Sequence, residues 1–234
     1  MAQIEKEYII RFNNGTYNLQ TNEFTVEPNV MSVKYDYNNE YSSHKDDLMK
    51  FISDLVPNEL DRKVLLSHIS KALLGKINCT CLNIYGGGNS GKTTFINLVA
   101  ETLGDYFERF DSDILTKRLK NQQRKLSFLK NKRCIVTEIE PTNKIKSSMY
   151  KILLGGDRLC VISNDDECEI IDQTHTMCIV SNNQVEFETL DEGVRRRTIY
   201  VKFPNVFESD MDMGETIKLW RHDFMLLLIE NYKN

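Results

Sequence analysis

The sequence predicts an α/β fold: a parallel sheet flanked by helices, preceded by a small N-terminal β-hairpin segment. Three observations carry that expectation. From residue 77 onward, short apolar runs of strand length alternate with amphipathic runs of helical spacing, and strands separated by helices imply crossovers between parallel neighbours. A glycine-rich stretch, Gly86 to Thr93, falls between one such strand and one such helix. Near the start, two strand-like runs flank Asn13-Asn14-Gly15, and Asn-Gly suits the positive backbone angles of a tight hairpin turn.

Taken in order, residues 8–12 and 16–19 are the hairpin strands, and 24–26 offer a third. The polar passage 36–43 reads as a linker, which makes 1–42 an N-terminal β segment. Ser43 is placed to cap a helix in which Leu48, Phe51, Ile52, Leu55 and Val56 keep a three-four rhythm until Pro57 stops it. A second helix over 59–74 turns Leu65, Ile69, Ala72 and Leu73 inward and ends at Gly75, so 43–76 form a helical lead-in to a core at 77–234. His68 lies within it; without another ligand type at matching spacing it is assigned no role. Beyond the glycines, 94–103 and 114–129 read as helices, 134–139 as a strand and 147–154 as a helix. Residues 158–163 and 167–171 form a hairpin around Asn164-Asp165-Asp166. Strands at 176–181 and 198–203 follow, and Ile217, Trp220, Phe224, Leu227 and Leu228 mark a C-terminal helix.

Composition narrows the function classes. A chain of 234 residues with 41% hydrophobic side chains has the material for one good core. Thirty basic against thirty-four acidic residues exclude a wholly cationic nucleic-acid coat, so any polyanion site is local. The six cysteines (79, 81, 134, 160, 168, 178) are scattered, several within apolar runs, and show no zinc spacing. Free thiols in a reducing compartment are the expectation. No run is long and apolar enough for a bilayer and no leader is evident, so a soluble intracellular protein without membrane contact is expected.

Gly86-Gly87-Gly88-Asn89-Ser90-Gly91-Lys92-Thr93 fits G-x-x-x-x-G-K-[ST] at a strand-to-helix corner. Backbone N–H groups of such a loop wrap phosphates, the positive helix end points at them, Lys92 adds a full charge, and Thr93 ligates magnesium. Thr94 continues into the helix. Hydrolysis of a bound triphosphate needs an acid on a neighbouring strand and a base to orient water. Glu138 and Glu140 stand two apart and share a side in extended chain; the plainer account is a pair of solvated carboxylates. Asn182-Asn183 after the next strand suits either a phosphate-sensing amide or a simple turn. Arg195-Arg196-Arg197 suits charge neutralisation at a transferred phosphoryl group, or a solvated patch. Eight lysines and arginines with no acid between 117 and 133 mark a solvated helix face or a contact with nucleic acid or another subunit.

In this order the segments resemble the superfamily 3 helicases, and within them the helicase half of poxvirus-type and other large-DNA-virus primase-helicases. GGGNSGKTT is similar to the family's Walker A, RCIVTEIEP to its Walker B, HTMCIVSNN to its motif C and DEGVRRRTIYVKFP to its arginine-finger strand. KILLGGDRL resembles the segment before its DNA-contacting hairpin, and FNNGTYNLQTNEF the stretch preceding the helicase core. The resemblance implies a P-loop NTPase of AAA+-like fold, with ATP and Mg2+ as cofactors. It implies Lys92 on phosphate, Thr93 and Glu138 at the metal, Asn183 as sensor, and Arg196 or Arg197 as the finger. Glu140 is the second acid, although Ile139 intervenes where many members have adjacent carboxylates. It implies a homo-oligomeric ring, by resemblance a hexamer, with ATP at subunit boundaries and hairpin 155–171 moving on single-stranded DNA or a forked duplex during viral-type replication. In a viral member both host cytoplasm and nucleus stay open as its place. Two departures stand out: the hairpin tip, Ser163-Asn164-Asp165-Asp166-Glu167, is acidic where the family offers a cation, leaving grip to Arg158 or backbone amides, and no primase-like segment precedes the core. That leaves a fragment, a split gene product or a member lacking priming activity, with a primase as a candidate partner. The rival expectations are a small-molecule kinase with the arginines as a lid, and a ring or scaffold subunit that binds ATP without translocating.

Overall fold

The computed structural model describes residues 7–26, 33–118, 122–162, 167–208 and 213–233. The first sheet among the described residues is antiparallel, formed by β1 (Ile9–Phe12), β2 (Gly15–Asn18) and β3 (Glu23–Thr25). Helices α1 (Lys45–Leu55) and α2 (Glu59–Ser70) follow, then β4 (Cys81–Tyr85), α3 (Lys92–Leu103), β5 (Phe107–Arg109), α4 (Asp113–Thr116) and α5 (Gln122–Lys125). Next come β6 (Cys134–Ile139), β7 (Lys144–Ile145), α6 (Ser147–Leu153) and the hairpin β8 (Leu159–Ile162) and β9 (Cys168–Ile171). The chain closes with β10 (Thr176–Ser181), β11 (Glu186–Phe187), α7 (Glu192–Arg195), β12 (Thr198–Lys202) and α8 (Met213–Lys233).

Five strands form the main sheet in the order β12-β4-β10-β6-β5, every neighbouring pair parallel. Such a sheet is covered on both faces, which is why β10 is buried at every position and β4 at its first four. On one face Leu82, Ile84, Val136, Val180 and Val201 join a core with α1, α2, α3 and α8. There Phe95 of α3 meets Phe203 and Phe224 edge-on, at 5.8 and 5.9 Å between ring centres. On the other face Cys81, Ile135, Met177 and Ile179 pack with Tyr150 and Leu153 of α6. No helix among the described residues is long and apolar enough to cross a membrane.

The N-terminal sheet shares the first core. Ile10, Phe12 and Tyr17 are buried in it, and the Tyr35 hydroxyl donates to the Thr102 carbonyl of α3 at 2.9 Å. Passage 36–43 lacks regular structure, as its composition predicts, yet it is tied down: Ser42 donates from its N–H and Oγ to the buried Asp223 carboxylate of α8, at 2.8 and 2.6 Å. Arg133, 5% exposed, donates to the Ile9 carbonyl at 2.8 Å and the Leu73 carbonyl at 2.5 Å and lies over the Tyr106 ring, so β6 and the first sheet are joined through one guanidinium.

Several sequence expectations are corrected. The hairpin turn is Asn13-Asn14, with Gly15 already paired to Phe12, and none of the three has positive φ. The Asn14 side chain holds the turn by exchanging bonds with the Tyr37 backbone, and Gly15 is needed because a Cβ there would strike the Thr25 carbonyl. Ser43 does not cap α1; His44 occupies that position without a side-chain bond, while Ser42 serves Asp223. The expected helix over 114–129 is broken into α4, α5 and a 3-10 turn at Ser127–Leu129, with residues 119–121 outside the described residues. The Leu115 carbonyl accepts from Lys146 N–H at 2.7 Å instead of from the next helical turn. Cys160 and Cys168, expected to be free, are disulfide-bonded across β8 and β9, whereas Cys81, Cys134 and Cys178 are free and buried.

Candidate nucleotide site at the strand ends

Tyr85, Ser181 and Ile139 are register partners, so β4, β10 and β6 end level with one another. Residues 86–91 leave β4 at that level and turn into α3. Two glycines make the turn possible. A Cβ at Gly86 would strike the Phe203 carbonyl, and one at Gly91, which has φ +82°, would strike the Leu55 side chain. Gly87 and Gly88 face open space, while the Asn89 carbonyl accepts from Phe207 N–H at 2.8 Å. The base of the loop is thus clamped and its tip is accessible.

Lys92 opens α3 and is 7% exposed. Its ammonium donates to the Gly86 and Gly87 carbonyls at 2.6 and 2.7 Å and to Ser90 Oγ at 3.0 Å. Burial lowers its pKa, and the charge of Glu138 opposes that shift. Glu138 and Thr93 line one cavity of about 230 Å³, together with Ile96, Arg109, Val136 and Val180. Val136 and Glu138 face α3 because strand residues two apart share a side. Glu140 does not join them. The strand ends at Ile139, and Glu140 lies in the following turn, its carbonyl accepting from Asn143 N–H at 3.0 Å.

Asn182 and Asn183 are exposed just past β10. The Asn183 carbonyl accepts from Ser181 Oγ at 2.6 Å. Val180 lines the cavity, and the turn bearing Asn182 and Asn183 begins two residues after it, past the end of β10. Arg109, which lines the cavity, carried no sequence signal. It ends the three-residue edge strand β5, too short for periodicity to flag, and donates to Asn97 Oδ1 on α3 at 2.6 Å.

The arginines lie at the opposite end of the sheet. Thr198 pairs with Cys81 and Lys202 with Tyr85, so Arg195, Arg196 and Arg197 enter β12 one strand length, about 16 Å, from the level at which the glycine loop begins. Asp191 caps α7, accepting from Val194 N–H at 2.9 Å, and pairs with Lys151 at 2.8 Å, whose hydrogen bond holds its carboxyl below the usual range. Arg197 donates from Nη1 to the Gly193 carbonyl at 2.9 Å, and Arg196 is exposed.

At least four of the eight cations in the basic run have partners within the chain. Lys117 pairs with Asp113, Lys130 with Glu169 of β9 and Lys132 with Glu108 of β5, at 2.9, 2.7 and 2.9 Å, and Arg133 is the buried tie to the first sheet. Arg158, the expected grip of the hairpin, pairs with Asp172 at 3.0 Å. The acidic tip at 163–166 lies outside the described residues.

The cradle fits a triphosphate and its divalent metal: two glycines with no room for a Cβ, accessible backbone at the loop tip, a buried ammonium, and a hydroxyl and carboxylate on one cavity. No protein-family model matches the chain. Among curated proteins it is similar to the provisionally named helicase L207/L206 of Acanthamoeba polyphaga mimivirus (22% identity, 98% of this chain, 27% of that protein). It is similar also to the provisionally named helicase V13 of Sputnik virophage (25%, 95% and 32%). A third relative is the provisionally named primase C962R of African swine fever virus (26%, 71% and 18%). The chain thus spans about a third or less of the length of these relatives. Among solved structures, the C-terminal region of NrS-1 shares the fold with a TM-score of 0.67 at 12% identity, over 99% of this chain and 55% of that one. The motif order, the parallel sheet with its glycine corner and these viral relatives fit one family, the superfamily 3 primase-helicases of large DNA viruses.

Proposed function

We propose that the chain is an ATP-dependent helicase motor of AAA+ type, which acts on single-stranded DNA as part of a ring, by family resemblance a hexamer, with ATP held at subunit boundaries. The observation that carries this reading is that Thr93 and Glu138 line one cavity, with the charge of Glu138 felt by the neighbouring Lys92, while the arginines stand a strand length away. In this reading, backbone N–H groups of residues 87–93 bind the phosphates and Lys92 exchanges its loop carbonyls for phosphate oxygens. Thr93 Oγ1 and Glu138 would hold Mg2+, which supplies charge neutralisation on the β- and γ-phosphate oxygens. Glu138, with the Asn182-Asn183 turn, orients the attacking water. A finger about 16 Å from its own loop has to serve a neighbour's site, and the exposed Arg196 suits that better than Arg197, which is bonded to Gly193. The names of the mimivirus and virophage relatives support a helicase role and that of the swine fever virus relative a primase link. The test is ATP turnover in wild type and Lys92→Ala. Loss of turnover with retained folding supports the reading, and wild-type turnover in the variant removes it.

A further inference from the structure

The other face of the sheet carries a polar cluster that the chemistry above does not use. Asn83 sits in the middle of β4, 0% exposed, where a buried parallel strand ordinarily carries an apolar side chain. An amide in that place is costly unless bonded. Its Nδ2 donates to Ser181 Oγ at 2.8 Å and to the Ile179 carbonyl at 3.3 Å, and its Oδ1 accepts from Val185 N–H at 3.3 Å. Ser181, 4% exposed, passes the contact on, donating from Oγ to the Asn183 carbonyl at 2.6 Å. Gly86 N–H donates to the Ser181 carbonyl at 3.3 Å.

One side chain on the strand that launches the glycine loop therefore grips both ends of segment 181–185, which bears Asn182 and Asn183. Core packing alone would be met by an apolar side chain, with no polar group to satisfy. We propose that Asn83 is a positioning residue: through Ser181 it locks the Asn182-Asn183 turn in register with the phosphate loop, so that an amide meets the terminal phosphate and the water beside it. The inference rests on the nucleotide reading of the site. It assigns Asn83 to the catalytic step and not to nucleotide affinity, because its bonds reach the turn and not the loop residues that hold phosphate.

The test compares wild type, Ser181→Ala, Asn83→Asp and the double variant by ATP turnover, Kd for a fluorescent ATP analogue and Tm. Ser181→Ala deletes a single oxygen, and Asn83→Asp keeps the acceptor for Val185 N–H while replacing the amide that donates to Ser181 and to the Ile179 carbonyl by a carboxyl group. Each single variant is expected to lose about tenfold in kcat, the worth of one well-placed hydrogen bond, with Kd within about threefold of wild type. The double variant is expected to match the worse single one, because both cuts break one path. Losses that track Kd, a kcat loss in Ser181→Ala that tracks its Tm, effects that add, or unchanged kcat in Ser181→Ala each overturn the inference. A wild-type chain that binds no nucleotide fails in the control arm, which identifies the nucleotide reading as the part at fault and takes this inference with it.

Discussion

An arginine supplied across a subunit boundary makes a quantitative prediction about mixed assemblies. Arg196→Ala/Arg197→Ala chains keep Lys92, Thr93 and Glu138, while Glu138→Ala/Glu140→Ala chains keep both arginines. Because β12 runs parallel to β4 from Thr198 opposite Cys81 to Lys202 opposite Tyr85, the arginines stand about 16 Å from their own loop, further than a side chain spans. Each variant alone is expected to lose about 10³-fold or more in turnover, the range associated with a finger in trans. In a random one-to-one mixture, half of the boundaries take their loop from an arginine variant, and half of those take their finger from a glutamate variant. About a quarter of boundaries are then complete, so turnover should return to about a quarter of wild type if boundaries act independently. The assay is steady-state phosphate release on mixtures whose co-assembly is verified by differential tagging. Co-assembled mixtures no more active than either variant would refute the reasoning.

Two further predictions concern the frame of the site. His68 and His175 are buried beside β10, each donating from Nε2 to a backbone carbonyl (Met177 at 3.2 Å, Leu153 at 2.9 Å), and burial pushes both down to about 4 from the usual 6.5. The unfolded chain binds these protons and the folded chain does not, so their effect is absent above pH 6.5, stability falls from there toward pH 4, and the loss levels off below; it amounts to about 3 kcal/mol per ring. Urea unfolding of His68→Gln against wild type from pH 7 to 4 should show a shallower loss in the variant, and parallel slopes would contradict this account. Gly91→Ala should abolish ATP-analogue binding and cost about 1–3 kcal/mol of stability, since alanine meets both an unfavourable φ of +82° and the Leu55 side chain; calorimetric binding near wild type would show that the corner tolerates a Cβ.

The parallel sheet was legible because its strands are continuous apolar runs and its corner carries two glycines that nothing else replaces. Cys134–Ile139 and Thr176–Ser181 fold over the residues that periodicity marks. What periodicity missed is tertiary. The helix expected over 114–129 is interrupted where Lys146 takes the Leu115 carbonyl, a partner thirty-one residues on that no local pattern announces. Gly15 is required by the Thr25 carbonyl of β3 and not by its own φ, a cross-strand contact that the local Asn-Gly signal does not carry. At the site, Thr93 and Glu138 line one cavity and the charge of Glu138 reaches Lys92, whereas Glu140 lies one residue past the end of its strand. Arg109 and Asn83 carried no motif; what they bond to is visible only once β4, β5 and β10 are assembled.

The measurement closest to the central claim is ATP hydrolysis on size-fractionated protein, with and without single-stranded DNA, using Lys92→Ala as the control. The account predicts turnover confined to an oligomeric fraction, stimulated by single-stranded DNA and absent from Lys92→Ala. Turnover by a monomer that ignores DNA, or by Lys92→Ala at the wild-type rate, would contradict it.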